Sequence, residues 1–171
     1  MLEVVVLVGL PGAGKSTFFR QRFAETHAHV SKDNFRNHPR PGRRQSELIA
    51  EALAARRPVV VDNTNASAGE RAPIITEARH LGARVVAYFF ACTTGECVAR
   101  NAAREGRGRI PRVGIFAAAK RLVHPSREEG FDEIFVVRTM PQQRFEVSAA
   151  LGLPLATEPA CLNTFPGWVY S

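Results

Sequence analysis

Apolar residues in this chain follow two rhythms. Unbroken apolar runs occupy 4–8, 58–61 and 84–91, a short apolar step covers about 28–30, and "EIFVV" closes the series at 133–137. Such runs suit strands buried on both faces of a parallel sheet. Between them lie stretches with helical spacing, near 15–26, 43–56, 68–81, 94–105 and 113–123. The alternation predicts an α/β fold, a doubly wound, mainly parallel sheet covered by helices. Two helix starts carry capping-box pairs, Ser67 with Glu70 and Thr93 with Glu96. Pro73 has no N–H to donate and leaves the start of its helix open. Beyond Thr139 the pattern predicts no element, so the chain divides into a domain over 1–138 and an extension over 139–171 packed on it.

Composition narrows the classes. A chain of 171 residues suits one compact domain. Against 16 Asp and Glu stand 23 Lys and Arg, a formal charge of +7, which favours a polyanionic partner without requiring one. Cys92, Cys97 and Cys161 have neither CxxC spacing nor an even count, so free thiols in a reducing compartment are expected. The five histidines form no metal-ligand pattern. No apolar run reaches the roughly 20 residues of a membrane span, and "VVVLVGL" lacks the basic flank of a secretion signal. A cytoplasmic protein with no membrane contact is the expectation.

The chemistry starts at "GLPGAGKS", Gly9 to Ser16, which matches G-x-x-x-x-G-K-[ST] between a predicted strand and a predicted helix. In that context it is a phosphate loop of the kinase-type P-loop NTPase fold. Gly12 and Gly14 turn backbone N–H groups toward phosphate oxygens, helped by the helix dipole. Lys15 neutralises the β and γ phosphates, and Ser16 ligates Mg²⁺. The nucleotide-binding set is Gly9, Gly12, Ala13, Gly14, Lys15, Ser16, Thr17, Arg100 and Arg104, with ATP and Mg²⁺ as cofactors. The N-K-x-D motif and D-x-x-G switch of GTPases are absent. The strand in "PVVVDNTN" ends in Asp62 with no following Glu to activate water, so transfer to an acceptor is favoured over hydrolysis. Asp62 supports Mg²⁺ beside Ser16 or serves as a turn residue; Asp and Asn favour turns in any case.

A transferring enzyme needs a carboxylate for the attacking hydroxyl, placed past a strand end. Asp33 in "HVSKDNFR" fits, with Lys32 and Arg36 holding phosphates or pairing the acid in the empty site. The other reading of Asp33 is an N-cap for a helix opening at Asn34. Lys32, Arg36, Asp62, Asn63, Thr64 and Asn65 form the expected acceptor set. In "ARNAAREGRGRIPR", Arg100 and Arg104 share a helix face, and Gly106 and Gly108 suit a lid that closes to exclude water; a solvated face is the alternative, with Glu96 pairing Arg100. Arg40, Arg43 and Arg44 in "HPRPGRRQ" either track an acceptor backbone or solubilise a loop. Phe35 is expected in the core rather than stacked on a base.

Taken together, "VGLPGAGKST", "HVSKDNFR", "VDNTN" and "RNAAREGRGRIP" followed by "EEGFDEIF" resemble the kinase domain of polynucleotide 5′-hydroxyl kinases, over about residues 3–137. The resemblance implies ATP-dependent phosphorylation of 5′-OH ends of DNA or RNA in end healing or repair. It assigns Asp33 as general base, Lys15 and Ser16 to the ATP phosphates and Mg²⁺, Arg36 to an acceptor phosphate, and Arg104 to the transferring phosphoryl group. The catalytic set is thus Asp33, Lys15 and Arg104. Where that family often has Arg before the base, this chain has Lys32. No D-x-D-G-T phosphatase motif occurs, so a phosphatase or ligase would come from a separate partner. Two rivals stay open: a small-molecule kinase acting on a nucleoside, sugar or antibiotic hydroxyl, and a non-enzymatic, nucleotide-gated nucleic-acid binder.

Overall fold

The computed structural model describes residues 2–104 and 109–150. The strands are β1 (Glu3–Val8), β2 (Ala28–Val30), β3 (Val59–Asp62), β4 (Arg84–Phe90), β5 (Glu133–Met140) and β6 (Arg144–Ala149). Around them lie α1 (Lys15–Arg22), α2 (Pro41–Ala54), α3 (Ala68–His80), α4 (Thr94–Ala102) and α5 (Arg112–Arg121). The sheet order is β2-β3-β1-β4-β5-β6, parallel except for antiparallel β6. The α/β doubly wound expectation holds. Val4, Val5 and Val6 pair with β3 valines on one side and with Val85, Val86 and Ala87 on the other. With both edges paired and both faces covered, every one of these residues is buried, which is why the strands read as unbroken apolar runs.

Three helices differ from expectation. α1 stops at Arg22, short of residue 26, because Phe23 turns in to pack edge-on against Phe18 and Tyr88. α3 runs straight through Pro73, whose missing bond would go to the carbonyl of Gly69; the buried side chains of Arg71, Ile74, Ile75 and Ala78 hold the helix together instead. α4 ends at Ala102 rather than 105, since the buried Asn101 side chain takes both the N–H (2.9 Å) and the C=O (2.7 Å) of Ile110 and folds the chain back.

The sheet continues past residue 138. β5 reaches Met140, and β6 pairs with it from Met140↔Arg144 to Phe135↔Ala149. Phe145 of β6 packs edge-on against Phe18 at 5.1 Å. Most of β6 is exposed, so it carries none of the apolar density that marks the inner strands. The remaining extension, 151–171, lies outside the described residues, as does Cys161.

Candidate active site

β1, β2 and β3 all end on one edge of the sheet, and the segments that leave them line a cavity of about 310 Å³. This is where open α/β sheets bind ligands. From β1 comes the phosphate loop. Gly12 and Gly14 have φ of 89° and 98°, a region that side chains rarely adopt. A Cβ at Gly12 would also lie 2.5 Å from the Cys97 carbonyl oxygen, so the loop is packed directly on the first turn of α4. Gly9 N–H donates to Thr64 O (3.1 Å), and Thr139 Oγ1 donates to Ala13 O (2.9 Å), which fixes the loop from both sides. Thr17 accepts from Arg20 on the exposed side of α1.

Lys15 starts α1 and folds back over the loop, donating to Gly9 O (2.8 Å) and Leu10 O (2.9 Å). Burial pushes its ammonium down from 10.5 to about 8; nearby Arg104 adds to this, while Asp62 and Asp33 oppose it. A phosphate that neutralised this buried charge would be bound strongly, because desolvation is what the lone ammonium resists.

β3 ends in Asp62, a buried carboxylate. Burial alone would raise it, but hydrogen bonds from His29 and Ser16 and the charge of Lys15 hold it below the usual carboxylate range. His29 Nε2 lies 3.1 Å from Asp62 Oδ2, and its ring stacks on Phe19 at 4.1 Å. The hydroxyl of Ser16 beside an ionised Asp62 is a hard-oxygen pair of the kind that binds Mg²⁺ together with phosphate oxygens, so these residues fit that ion. Among the described residues no cluster of three or more His, Cys, Asp or Glu could hold a metal ion.

Past β2 the chain forms a 3₁₀ turn, Lys32–Phe35, capped by Ser31, whose Oγ accepts from Asp33 N (3.4 Å). The N-cap alternative for Asp33 is therefore filled by another residue. Lys32 N–H donates to Asn63 Oδ1 (2.8 Å), and Asn63 Nδ2 donates to the buried Gln45 (2.8 Å). These two bonds set the turn against the β3 loop. Asp33 lines the cavity while its side chain stays 71% exposed, paired with Arg36 at 2.9 Å. Phe35 is half-buried. Asn63, Thr64 and Asn65 all line the cavity, and the buried Asn65 amide donates to Leu7 O (2.8 Å) and Val61 O (3.4 Å), which ties β1 to β3.

The basic segment after α4 divides. Arg104, past the helix end, lines the cavity with Lys15. Arg100 instead donates to Cys92 Sγ (3.4 Å), and Glu96 closes the capping box on Thr93. The two arginines thus share no helix face, because α4 ends between them. Arg109 and Arg112 line a separate cleft with Val98 and Asn101. Gly106 and Gly108, the expected lid glycines, lie outside the described residues. Cys92 and Cys97, expected as free thiols, are joined as a disulfide. The turn from β4 into α4 brings residues five apart to a Cα separation of 6.6 Å, a proximity that C-x₂-C spacing does not anticipate. Arg43 and Arg44 form ion pairs with Glu47 and Glu51 along α2.

Four site-shaping residues escaped the sequence. His29 meets Asp62 only through strand pairing. Arg71, fully buried, makes a two-pronged pair with Glu129 (2.7 and 2.8 Å) and donates to the carbonyls of Asn65, Ala66 and Val123. It thereby clamps the end of the β3 loop to the segment after α5. Glu70 and Arg121, joined at 2.8 Å between α3 and α5, line the main cavity. The one available signal was Glu70 as a capping-box partner; its carboxylate does bond the helix start, at Ala66 N (3.0 Å), but also reaches Arg121.

The model of the AAA_33 family, described as an AAA domain, matches residues 4–122. Among solved structures, a sugar kinase from Janibacter sp. HTCC2649 is 17% identical, with 81% of this chain and 86% of that one covered at a TM-score of 0.63. A fungal RNA kinase is also 17% identical, covering 80% and 75% at 0.63. Kti12 from Chaetomium thermophilum, in complex with ADP-AlF3, is 15% identical, covering 82% and 92% at 0.59. At such identities the likeness establishes a shared fold, the P-loop kinase-type α/β domain.

Proposed function

The chain belongs to the AAA_33 family of AAA domains, and from that premise we propose that it is a phosphotransferase that moves the γ-phosphate of ATP to the 5′-hydroxyl end of a polynucleotide, DNA or RNA. One observation carries this reading: Asp33 stands exposed at the cavity that Lys15, Ser16, Lys32, Asp62 and Arg104 also line, and it pairs with Arg36. A base that must meet the end of a long chain has to be reachable from outside, and cations around it suit an acceptor that carries its own phosphates.

In the reaction, the 5′-hydroxyl oxygen attacks the γ-phosphorus as the bond to the β–γ bridging oxygen breaks. Asp33 takes the hydroxyl proton and ADP leaves. Arg36 must swing from Asp33 toward the acceptor, which exposed side chains do at little cost. Lys15 follows the phosphates, and Arg104 offsets charge on the transferring group. Ser16 and Asp62 would hold Mg²⁺, whose charge offsets that of the β and γ phosphates when it is bound. The cavity's volume of about 310 Å³ also favours a second reading, a nucleoside, sugar or antibiotic hydroxyl as acceptor. End healing with a separate phosphatase or ligase remains part of the proposal.

The test is transfer from γ-labelled ATP with Mg²⁺ to matched 5′-OH DNA and RNA oligonucleotides, beside Lys15→Ala and Asp33→Ala. Label on an oligonucleotide that both substitutions abolish supports the proposal. ATP binding without labelled oligonucleotide, but with a labelled sugar or nucleoside, replaces it with the second reading; nucleic-acid binding without any transfer to an acceptor leaves the non-enzymatic one.

A further inference from the structure

A backbone N–H can only donate. That of Lys32, at the start of the turn carrying Asp33, meets the Asn63 side chain at 2.8 Å. The Asn63 atom it meets must therefore be Oδ1, which turns Nδ2 the other way. Nδ2 needs an acceptor in its turn, and Gln45 Oε1 stands there at 2.8 Å. Gln45 belongs to α2 and is only 4% exposed, so this bond is shielded from bulk water. Each polar group thus sets the orientation of the next, from α2 through the loop after β3 to the turn after β2.

The same loop is tied to the donor side. Thr64 O accepts from Gly9 N–H (3.1 Å), and Asn65 Nδ2 donates to Leu7 O (2.8 Å). Within the turn, Ser31 accepts from Asp33 N through Oγ (3.4 Å) and from Asn34 N through its carbonyl (3.0 Å). Those local bonds give the turn its shape. The bond from Lys32 to Asn63, 31 residues away, fixes where the turn sits relative to the phosphate loop. Removing the Gln45 acceptor would leave a part-buried Nδ2 unpaired, and Asn63 would gain by rotating toward water and releasing Lys32.

We propose that Gln45 is a positioning residue for Asp33: by accepting from Asn63 it holds that amide in the one orientation that can receive Lys32 N–H, and so sets the placement of the base against the phosphate loop. The inference rests on Asp33 being the base of the proposed transfer, and it applies to whichever hydroxyl is the acceptor. Its consequence is that Gln45 governs the rate of transfer and not the binding of ATP. Asn63, expected among the acceptor ligands, keeps one Nδ2 hydrogen for that purpose.

The experiment measures transfer from γ-labelled ATP with Mg²⁺ to 5′-OH DNA and RNA oligonucleotides, a nucleoside and a sugar, for wild type, Gln45→Met and Gln45→Glu. Met keeps the unbranched shape without an acceptor, and Glu keeps the oxygens. On each acceptor that wild type labels, Gln45→Met is expected to lower kcat about tenfold to a hundredfold, the effect of displacing a reacting group by about an ångström. ATP affinity by calorimetry and the acceptor KM should stay unchanged, and Gln45→Glu should recover most of the rate. The decisive comparison uses the Asp33→Asn background, where Gln45→Met should lower the residual rate no further, because residues acting as a unit are not additive. If Gln45→Met does not fold, Asn63→Ala at a half-buried position carries the same test, with the same dependence on Asp33. Equal losses with and without Asp33, or a rate matching wild type, overturn the role of Gln45 and leave the transfer reading intact. Label on a nucleoside or sugar alone overturns the polynucleotide reading, and the role of Gln45 is then decided on that acceptor. A wild type that labels none of them overturns the transfer reading and this role with it.

Discussion

The donor wall and the acceptor wall of one cavity are built by opposite rules. On the donor wall Lys15 is buried against two carbonyls, Gly12 abuts the Cys97 carbonyl, and Asp62 is enclosed by His29 and Ser16. On the acceptor wall the Asp33 side chain is 71% exposed, Arg36 57% and Arg121 60%. On the proposed reading the donor is one triphosphate, so its contacts can be set in advance by packed backbone and buried charge, which minimises reorganisation in the reaction. On the proposed reading the acceptor arrives on a larger and more varied molecule, which suits contacts carried on exposed side chains. Function and stability are therefore coupled on one wall and separable on the other.

The sharpest way to break that contrast is Asp33→Asn. Loss of the base is expected to lower kcat by about 10²–10⁴-fold, while an exposed substitution leaves unfolding free energy within about 0.5 kcal/mol in urea titrations. A large stability loss would mean the acceptor wall is as deeply built in as the donor wall. Next in size is Arg71→Leu, beneath the acceptor loop. It strands Glu129 and frees three carbonyls, and should destabilise by about 3–5 kcal/mol, read from the same titrations. The exposed acceptor groups would then rest on a buried, fully satisfied support.

Gly12→Ala probes the donor wall. Its methyl would meet the Cys97 carbonyl at 2.5 Å with φ at 89°, so a loss of roughly 1–3 kcal/mol is expected together with weaker ATP binding by calorimetry. The smallest effect is the pH response of Lys15. Its folded value of about 8 lies below the unfolded 10.5, so the unfolded chain binds more protons between those values, and the empty protein gains stability as pH rises from 8 toward 10. ATP needs the charged ammonium, so its affinity should be flat below pH 8 and fall up to about tenfold per unit above it. Lys15→Met should lose both opposing trends, measured by melting and by calorimetry across pH 7–9.5.

Much of the donor wall was legible in advance because its residues are contiguous. Strand, glycines, lysine and serine follow one another over Gly9 to Ser16, and local chain geometry alone turns them into a phosphate loop. Asp33 and Asp62 were legible too, as acids just past apolar runs. β6 was not, because an edge strand that is mostly exposed lacks the apolar signature, and its register comes from pairing with β5 and from Phe145 on Phe18. The end of α4 was misplaced for a related reason, since Asn101 stops it by grasping Ile110, nine residues on.

By itself, then, the amino-acid sequence determined the α/β alternation, the buried strands and the phosphate loop, each of which rests on periodicity or on neighbours along the chain. Only the tertiary structure decided which distant charges meet. His29 with Asp62, Arg71 with Glu129 and Glu70 with Arg121 are separated by 33, 58 and 51 residues. Each pair forms because the sheet order and helix packing bring distant segments together, and no local propensity records such a meeting.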